Sequence, residues 1–412
     1  MQLGKNLFLR LPKMKKVSRF LLIFFVLLSL PDFTSFGSDN LFKYQWALKN
    51  NGNFMVNKNI LEVSYKPVFF DALVSDTMFF ADKNIMNFYY SASDTSKILA
   101  SHEGIDTKWE EGFNLFKSVP YGRDIVIAVI DTGIDITHPD LKDSIWVNVD
   151  EIANNGIDDD ANGYIDDVYG YNFNKGNANV MPESLLEVHG THAAGIISGS
   201  HVNGGVYGLA YDEHIKIMPL KVLDANENGY MASVIDAIAY AKNNGATICN
   251  ISLGTYSYDA SIDEAIRDNS DMLFIVSAGN GMNFVGYSLD ERDVYPAKLN
   301  LDNVISVSNI AFDGKRYVSA NYGSYVDVFA PGTYILSTTP YGTYAYLTGT
   351  SMSAPFVSAL CAMIYSRFPN VPISSYKNII INTSTPIESL LGLSKSNGII
   401  NVYEALKIAS TF

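Results

Sequence analysis

The sequence predicts an α/β protein: a doubly wound, mostly parallel sheet with helices on both faces. Three observations carry that expectation. From about residue 104, short Val- and Ile-rich runs alternate with segments of helical spacing. The runs are apolar throughout instead of at every second residue, as strands covered on both faces must be. Two of them, "VIAVIDTG" and "FIVSAGNG", run out into glycine turns, and in such folds the active groups gather beyond the carboxyl ends of the strands.

Along the chain, "KMKKVSRF" and "LLIFFVLLSL", followed by the small residues "SFG", have the form of an export signal over 1–37. The apolar run is shorter than the ~18 to 20 residues a spanning helix needs. Secretion with cleavage is therefore expected, to the extracellular space, the periplasm or the cell surface, with no membrane contact afterwards. Residues 38–103 form an N-terminal segment whose stretch from 53 onwards is rich in aromatics and contains no glycine or repeat. It reads as an inserted subdomain, with a removable pro-segment as the alternative. From 104 to 412 the expected strands are "DIVIAVID", "HIKIMPLKV", "ATICNISL", "MLFIVSAG", "NVISVSNI" and "YVDVFAPG". The helices are "HGTHAAGIISG", "MASVIDAIAYAKNNG", "SIDEAIRDNS", "APFVSALCAMIYSRFP" and "NVYEALKIAS".

Composition bounds the function. With 48% hydrophobic and 17% charged residues the chain can bury a large core. The net charge of -14 disfavours nucleic acid and anionic lipid as partners. Half of that surplus falls between residues 150 and 167, a stretch without Lys or Arg. The two cysteines, Cys249 and Cys361, sit inside apolar runs and read as buried free thiols.

Three segments bear chemistry. Asp131 stands where "VIAVID" meets its glycine turn, His189 opens the helix "HGTHAAGIISG", and Ser351 lies in "GTSMSAP" at the head of an apolar helix. A serine hydroxyl attacks only if a base takes its proton, and that base works best when a carboxylate fixes its tautomer. A helix N-terminus also favours the negative charge that develops in acyl transfer. Asn280, at the end of "FIVSAGN", offers an amide donor to such an oxyanion. Taken singly, each has a plainer role: Ser351 as a helix cap, Asp131 as a turn former, and His189 with His192 as structural or metal-binding histidines. A zinc-protease reading lacks the Glu of HExxH.

The order Asp, His, Ser within "DTGID", "HGTH" and "GTSMSAP" resembles the subtilisin-like serine proteases (subtilases), over roughly residues 104–409. "LFKYQWALKNNG" is similar to the start of the catalytic domain in bacterial members. The resemblance implies a subtilisin-like fold and a serine-type endopeptidase without a catalytic cofactor. Ser351 would be the nucleophile, His189 the general base, Asp131 its orienting carboxylate and Asn280 the oxyanion donor. It also implies that Ser252, Leu253 and Gly254 form the strand that pairs with substrate, opposite the edge around Gly229, with Pro296 a cis-proline and Val294 lining the first specificity pocket. The expected partners are protein or peptide substrates, small or medium apolar residues being preferred, and the enzyme is expected to be a monomer. The rival expectation is a catalytically silent member of the same fold, kept for binding or signalling.

The acidic stretch "GIDDDANGYIDDVYG" fits a calcium-loop template, with Asp158, Asp160 and Asn162 at alternate positions, a glycine turn, then Tyr164 through its carbonyl and Asp166. Tyr169 stands where the template has a bidentate Glu. Five Asp within ten residues repel one another unless a cation sits among them, so structural Ca2+ is expected. By the resemblance, Asp140 in "HPDL" matches a second calcium ligand of some family members, with a turn role as the alternative.

Overall fold

The computed structural model describes residues 41–52, 54–57, 79–80, 98–281 and 285–412. The expected export signal and most of the expected insert lie outside the described residues. Three short strands, β1 (Met55–Asn57), β2 (Phe79–Phe80) and β3 (Ile98–Ala100), precede helix α1 (Trp109–Ser118). The body of the fold then runs β4 (Ile125–Asp131), β5 (Tyr171–Asn172), α2 (His189–Ser198), β6 (Ile215–Lys221), α3 (Met231–Asn243), β7 (Ala246–Ile251), α4 (Ala260–Asp268) and β8 (Leu273–Ser277). It continues through β9 (Val304–Ile310), β10 (Val328–Pro331), β11 (Ile335–Thr339) and β12 (Thr343–Leu347) to the long helix α5 (Thr350–Arg367). Helix α6 (Ile373–Thr383), β13 (Thr385–Pro386), β14 (Gly398–Ile399) and α7 (Val402–Ala409) close the chain.

Nine strands form one sheet in the order β13-β14-β10-β9-β8-β7-β4-β6-β5. Every neighbouring pair is parallel except β13 with β14. The expected parallel, doubly wound architecture is therefore what the chain adopts. Strand alternation assigns the two faces. Ala128, Ile130, Cys249, Ile251, Phe274 and Val276 pack against Val234, Ala237 and Ile238 of α3 and Ile262 and Ile266 of α4. The intervening residues face the other way: Asn250 of β7 accepts a hydrogen bond from Ser358 of α5 at 2.9 Å. Helices α2 and α5 pack together on that second face. Cys249 and Cys361 are consequently buried on opposite sides of the sheet, unpaired as expected, and burial pushes both thiols up.

The stretch 41–50 belongs to this body. Leu41, Trp46 and Leu48 are buried, the Trp46 indole donates to the Thr333 carbonyl at 2.9 Å, and the Gln45 amide pairs with both backbone groups of Tyr207. Beyond it, β1 pairs with β3 and β2 adds to the β11–β12 hairpin. The Tyr295–Pro296 peptide bond is cis. Among the described residues no helix is long and apolar enough to cross a membrane.

Candidate active site

The sheet order reverses around β4: its later neighbours lie to both sides, and the crevice beyond the strand ends opens there. Asp131 is the last residue of β4 and His189 the first of α2. Gly190 allows the two to meet, because a Cβ at that position would lie 2.3 Å from the Gly133 carbonyl oxygen and 3.1 Å from Cβ of Asp131. With that approach permitted, Nδ1 of His189 stands 2.8 Å and 2.9 Å from the two carboxylate oxygens of Asp131. Both side chains are buried. A carboxylate on Nδ1 keeps the proton there and leaves Nε2 as the basic nitrogen. Thr132 braces the pair: its backbone N–H donates to Oδ1 of Asp131 at 2.6 Å, and its hydroxyl accepts from the N–H of Gly190 at 3.1 Å.

Ser351 is the second residue of α5. Its hydroxyl donates to the Ser252 carbonyl, and the Ser252 hydroxyl donates back to the Ser351 carbonyl, both at 3.1 Å. That carbonyl is free for Ser252 because Pro355, four residues on, has no N–H to give it. The Asn280 side-chain oxygen accepts from the N–H of Thr350 at 3.2 Å, which identifies the other fork of the amide as the donor. Ser351, Thr350, Asn280, Leu253, Gly254, Tyr256 and Val294 line one small cavity. Val294 sits between its walls: a Cβ on Gly254 or Gly279 would lie 3.3 Å or 3.4 Å from Cγ1 of Val294. Ser252 continues β7 beyond its end, and exposed Gly229 is bridged to Leu223 across the mouth of a tight turn.

His192, one turn after His189, is no partner in metal binding. Its Nε2 donates to the carbonyls of Ile335 and Ala345 at 3.0 Å and 3.1 Å. Burial lowers its pKa to about 3, so the ring is neutral.

The acidic loop is organised differently from the template. Glu151, Asp160 and Asp167 bring carboxylate oxygens within 4.8 Å of one another. Of the expected carboxylate ligands only Asp160 is in this group. Both oxygens of Asp158 accept backbone N–H groups, of Asn162 and Gly163, and Asp166 accepts those of Asn155 and Gly156. Those two aspartates brace the turn, as does Glu151, which accepts the N–H groups of Asp159 and Asp166. The Asn162 amide donates to Asp160 and Asp167, and Tyr164 packs edge-on against Tyr171 and Tyr240. The Tyr240 hydroxyl donates to Asp167 at 2.5 Å, tying the loop to α3. All three donors in the group are carboxylate oxygens, which suits a hard divalent cation. Glu151 and Asp167 were legible as members of the acidic run, but neither falls on a template position. Asp140 is filled from within the protein: Val202 N–H, Val206 N–H and the Tyr344 hydroxyl all donate to it, so it fastens loop 201–206.

Comparison with known proteins bears on the family and the fold. A sequence model described as "Subtilase family" matches residues 122–399. "Subtilisin-like protease 1" of Plasmodium vivax is 35% identical over 309 residues, covering 69% of this chain and 47% of that protein. "Subtilisin DY" of Bacillus licheniformis is 29% identical over 287 residues, covering 69% of this chain and 91% of its own. The chain spans less than half the length of the Plasmodium relatives. Among solved structures, a protease from Pseudoalteromonas arctica superposes with a TM-score of 0.57 at 26% identity, over 74% of this chain and 94% of that one. A cold-adapted subtilisin-like serine proteinase, 23% identical with a TM-score of 0.52, covers 68% of this chain and 87% of its own, and shares the fold. With a buried Asp–His pair at the sheet switch point, a serine at the head of α5 and a family match over 122–399, the chain belongs to the subtilase family.

Proposed function

We propose that this protein is a secreted serine endopeptidase that cleaves peptide bonds through Asp131, His189 and Ser351. The observation that carries the reading is the buried two-oxygen contact of Asp131 with Nδ1 of His189, on the sheet end where Ser351 and Asn280 line one cavity. With substrate in place, the Ser351 hydroxyl turns from the Ser252 carbonyl to Nε2 of His189, which takes its proton as Oγ attacks the scissile carbonyl carbon. The oxyanion receives the Asn280 amide and the Ser351 backbone N–H. His189 then protonates the leaving amine, and water, activated by the same ring, hydrolyses the acyl-enzyme. Substrate lies extended between residues 252–254 and the edge at Gly229. Val294 shortens the pocket that takes the side chain before the cut, favouring small or medium apolar residues.

Calcium belongs to this reading as a structural ion held by Glu151, Asp160 and Asp167; it supplies charge neutralisation and no chemistry. The burial of Trp46 supports assigning residues 41–50 to the mature enzyme and the segment after them to an inserted subdomain. Export rests on the basic and apolar N-terminal pattern. The test is fluorophosphonate labelling of calcium-loaded protein. Wild type is expected to label and Ser351→Ala not to. Equal silence of both would turn the reading toward a non-catalytic member of the family.

A further inference from the structure

Behind the Asp131–His189 pair lies a second buried pair that the chemistry above does not use. Lys221 and Glu187 have side chains 1% and 2% exposed, with Nζ and Oε2 2.6 Å apart. Nζ also donates to the Thr132 carbonyl at 2.6 Å, and Oε2 also accepts from the N–H of Glu183 at 2.6 Å. Neither residue lines the cavity beside Ser351. Their places in the chain are what matter. Glu187 precedes His189 by two residues, and Lys221 is the register partner of Asp131 on the neighbouring strand. Thr132 joins the two pairs, giving its N–H to Asp131, its hydroxyl oxygen to Gly190 and its carbonyl to Lys221. A closed ring therefore runs from Asp131 through Thr132, Lys221 and Glu187 to His189 and back.

A buried ion pair is a poor source of stability, because desolvation offsets most of the attraction. In some proteins such a pair instead fixes conformation. We propose that Glu187 and Lys221 are positioning residues: their ion pair seats the segment that carries His189 against the strand end that carries Asp131, and balances the charge around them. The kinetic readout of this inference rests on the endopeptidase reading. Of the ionisable groups near His189, Asp131 on β4 contacts its ring and the neutral His192 lies one turn on; Lys221 on β6 and Glu187 ahead of α2 connect to the pair through Thr132 and the chain, and the N–H of Asp135 is held by Thr191. The β11 strand and the first turns of α5 bring none.

Glu187→Gln preserves shape and an acceptor for Lys221 but leaves the ammonium without its counter-charge. In a Ser351→Ala background with nitrogen-labelled histidine, the His189 ring titration is expected to move down by about half a pH unit or more, since a nearby positive charge opposes the imidazolium. Lys221→Met, active-site titrated in the Ser351 enzyme, is expected to lose on the order of tenfold in kcat with KM unchanged, because the Asp131 end of the ring is no longer held. The double variant Glu187→Gln/Lys221→Met, which buries no charge and folds if the single variants do not, should return the titration midpoint to the wild-type value while keeping the kcat loss. An unmoved midpoint in Glu187→Gln together with wild-type kcat in Lys221→Met overturns the proposal, as does wild-type kcat in the double variant. The histidine titration needs no catalysis. A moved midpoint in a protein that never labels would sink the endopeptidase reading and leave the ion-pair inference standing.

Discussion

Ser351 shows how much of this site depends on single atoms. Its carbonyl would normally accept a bond from the residue four places on, and Pro355 withholds that bond. Ser252→Ala would leave the carbonyl buried and unbonded, and thermal unfolding should report a loss of about 1–3 kcal/mol. Asn280→Ala should lower kcat by roughly 10²- to 10³-fold with little change in KM, as loss of one oxyanion donor does; steady-state assay of the purified variant checks this. Val294→Ala should widen the cavity and shift a peptide-library profile toward larger apolar residues before the cut, and an unchanged profile would place the pocket floor elsewhere. Asp131, His189, Asn280 and Ser351 were legible because each sits in a short motif at the end of a strand or the head of a helix. Glu187, Lys221 and Thr132 were not. A Glu before a helix and a Lys closing a strand look like ordinary surface charges, and nothing in the sequence announces that residues 34 apart will bury their charges against each other.

The acidic loop and helix α3 behave as a unit. Tyr240 reaches from α3 to Asp167, and burial together with the neighbouring carboxylate drives its hydroxyl upward, so at neutral pH it is a donor. Calcium at about 100 times its dissociation constant should raise the unfolding free energy by about 2.7 kcal/mol. Chelation should remove that increment, and Asp167→Asn should abolish most of it; calorimetry with and without chelator decides. Asp158→Asn should leave calcium affinity less affected, since Asp158 lies outside the three carboxylates that converge. A linear template could identify the loop as acidic and turn-rich, yet which carboxylates converge is set by where the chain folds back. Glu151 joins from upstream and Asp167 is held by a helix, and neither relation is written in local spacing.

At the scale of the molecule, the alternation of apolar runs and helical segments foretold the parallel sheet because both faces of such a sheet must be covered. The same patterning said little about residues 41–57, whose place is fixed by long-range contacts. Another long-range tie is Asp212, which meets Lys117 of α1 at 2.8 Å and Arg367 at the end of α5 at 2.7 Å. Burial pushes its carboxyl up, but Lys117, the backbone N–H of His214 and Arg367 together outweigh that and hold it below the usual carboxylate range. A depressed carboxylate stabilises the fold at neutral pH, and that contribution is lost as pH falls below about 4 through the folded-state value. Urea unfolding at neutral and acid pH should therefore show a shallower acid decline in Asp212→Asn than in wild type.

The anchoring of Trp46 to the Thr333 carbonyl carries a topological consequence. Residues 41–52 and 54–57 are fastened to the body through Gln45 and Trp46, and residues from 98 on through the N–H of His102 on the Phe312 carbonyl, with β1 paired to β3 between them. A cut anywhere between those points would sever the polypeptide without parting the pieces. Such a nicked molecule should run as two fragments under denaturing conditions and as one particle in size exclusion, with its fluorophosphonate labelling intact.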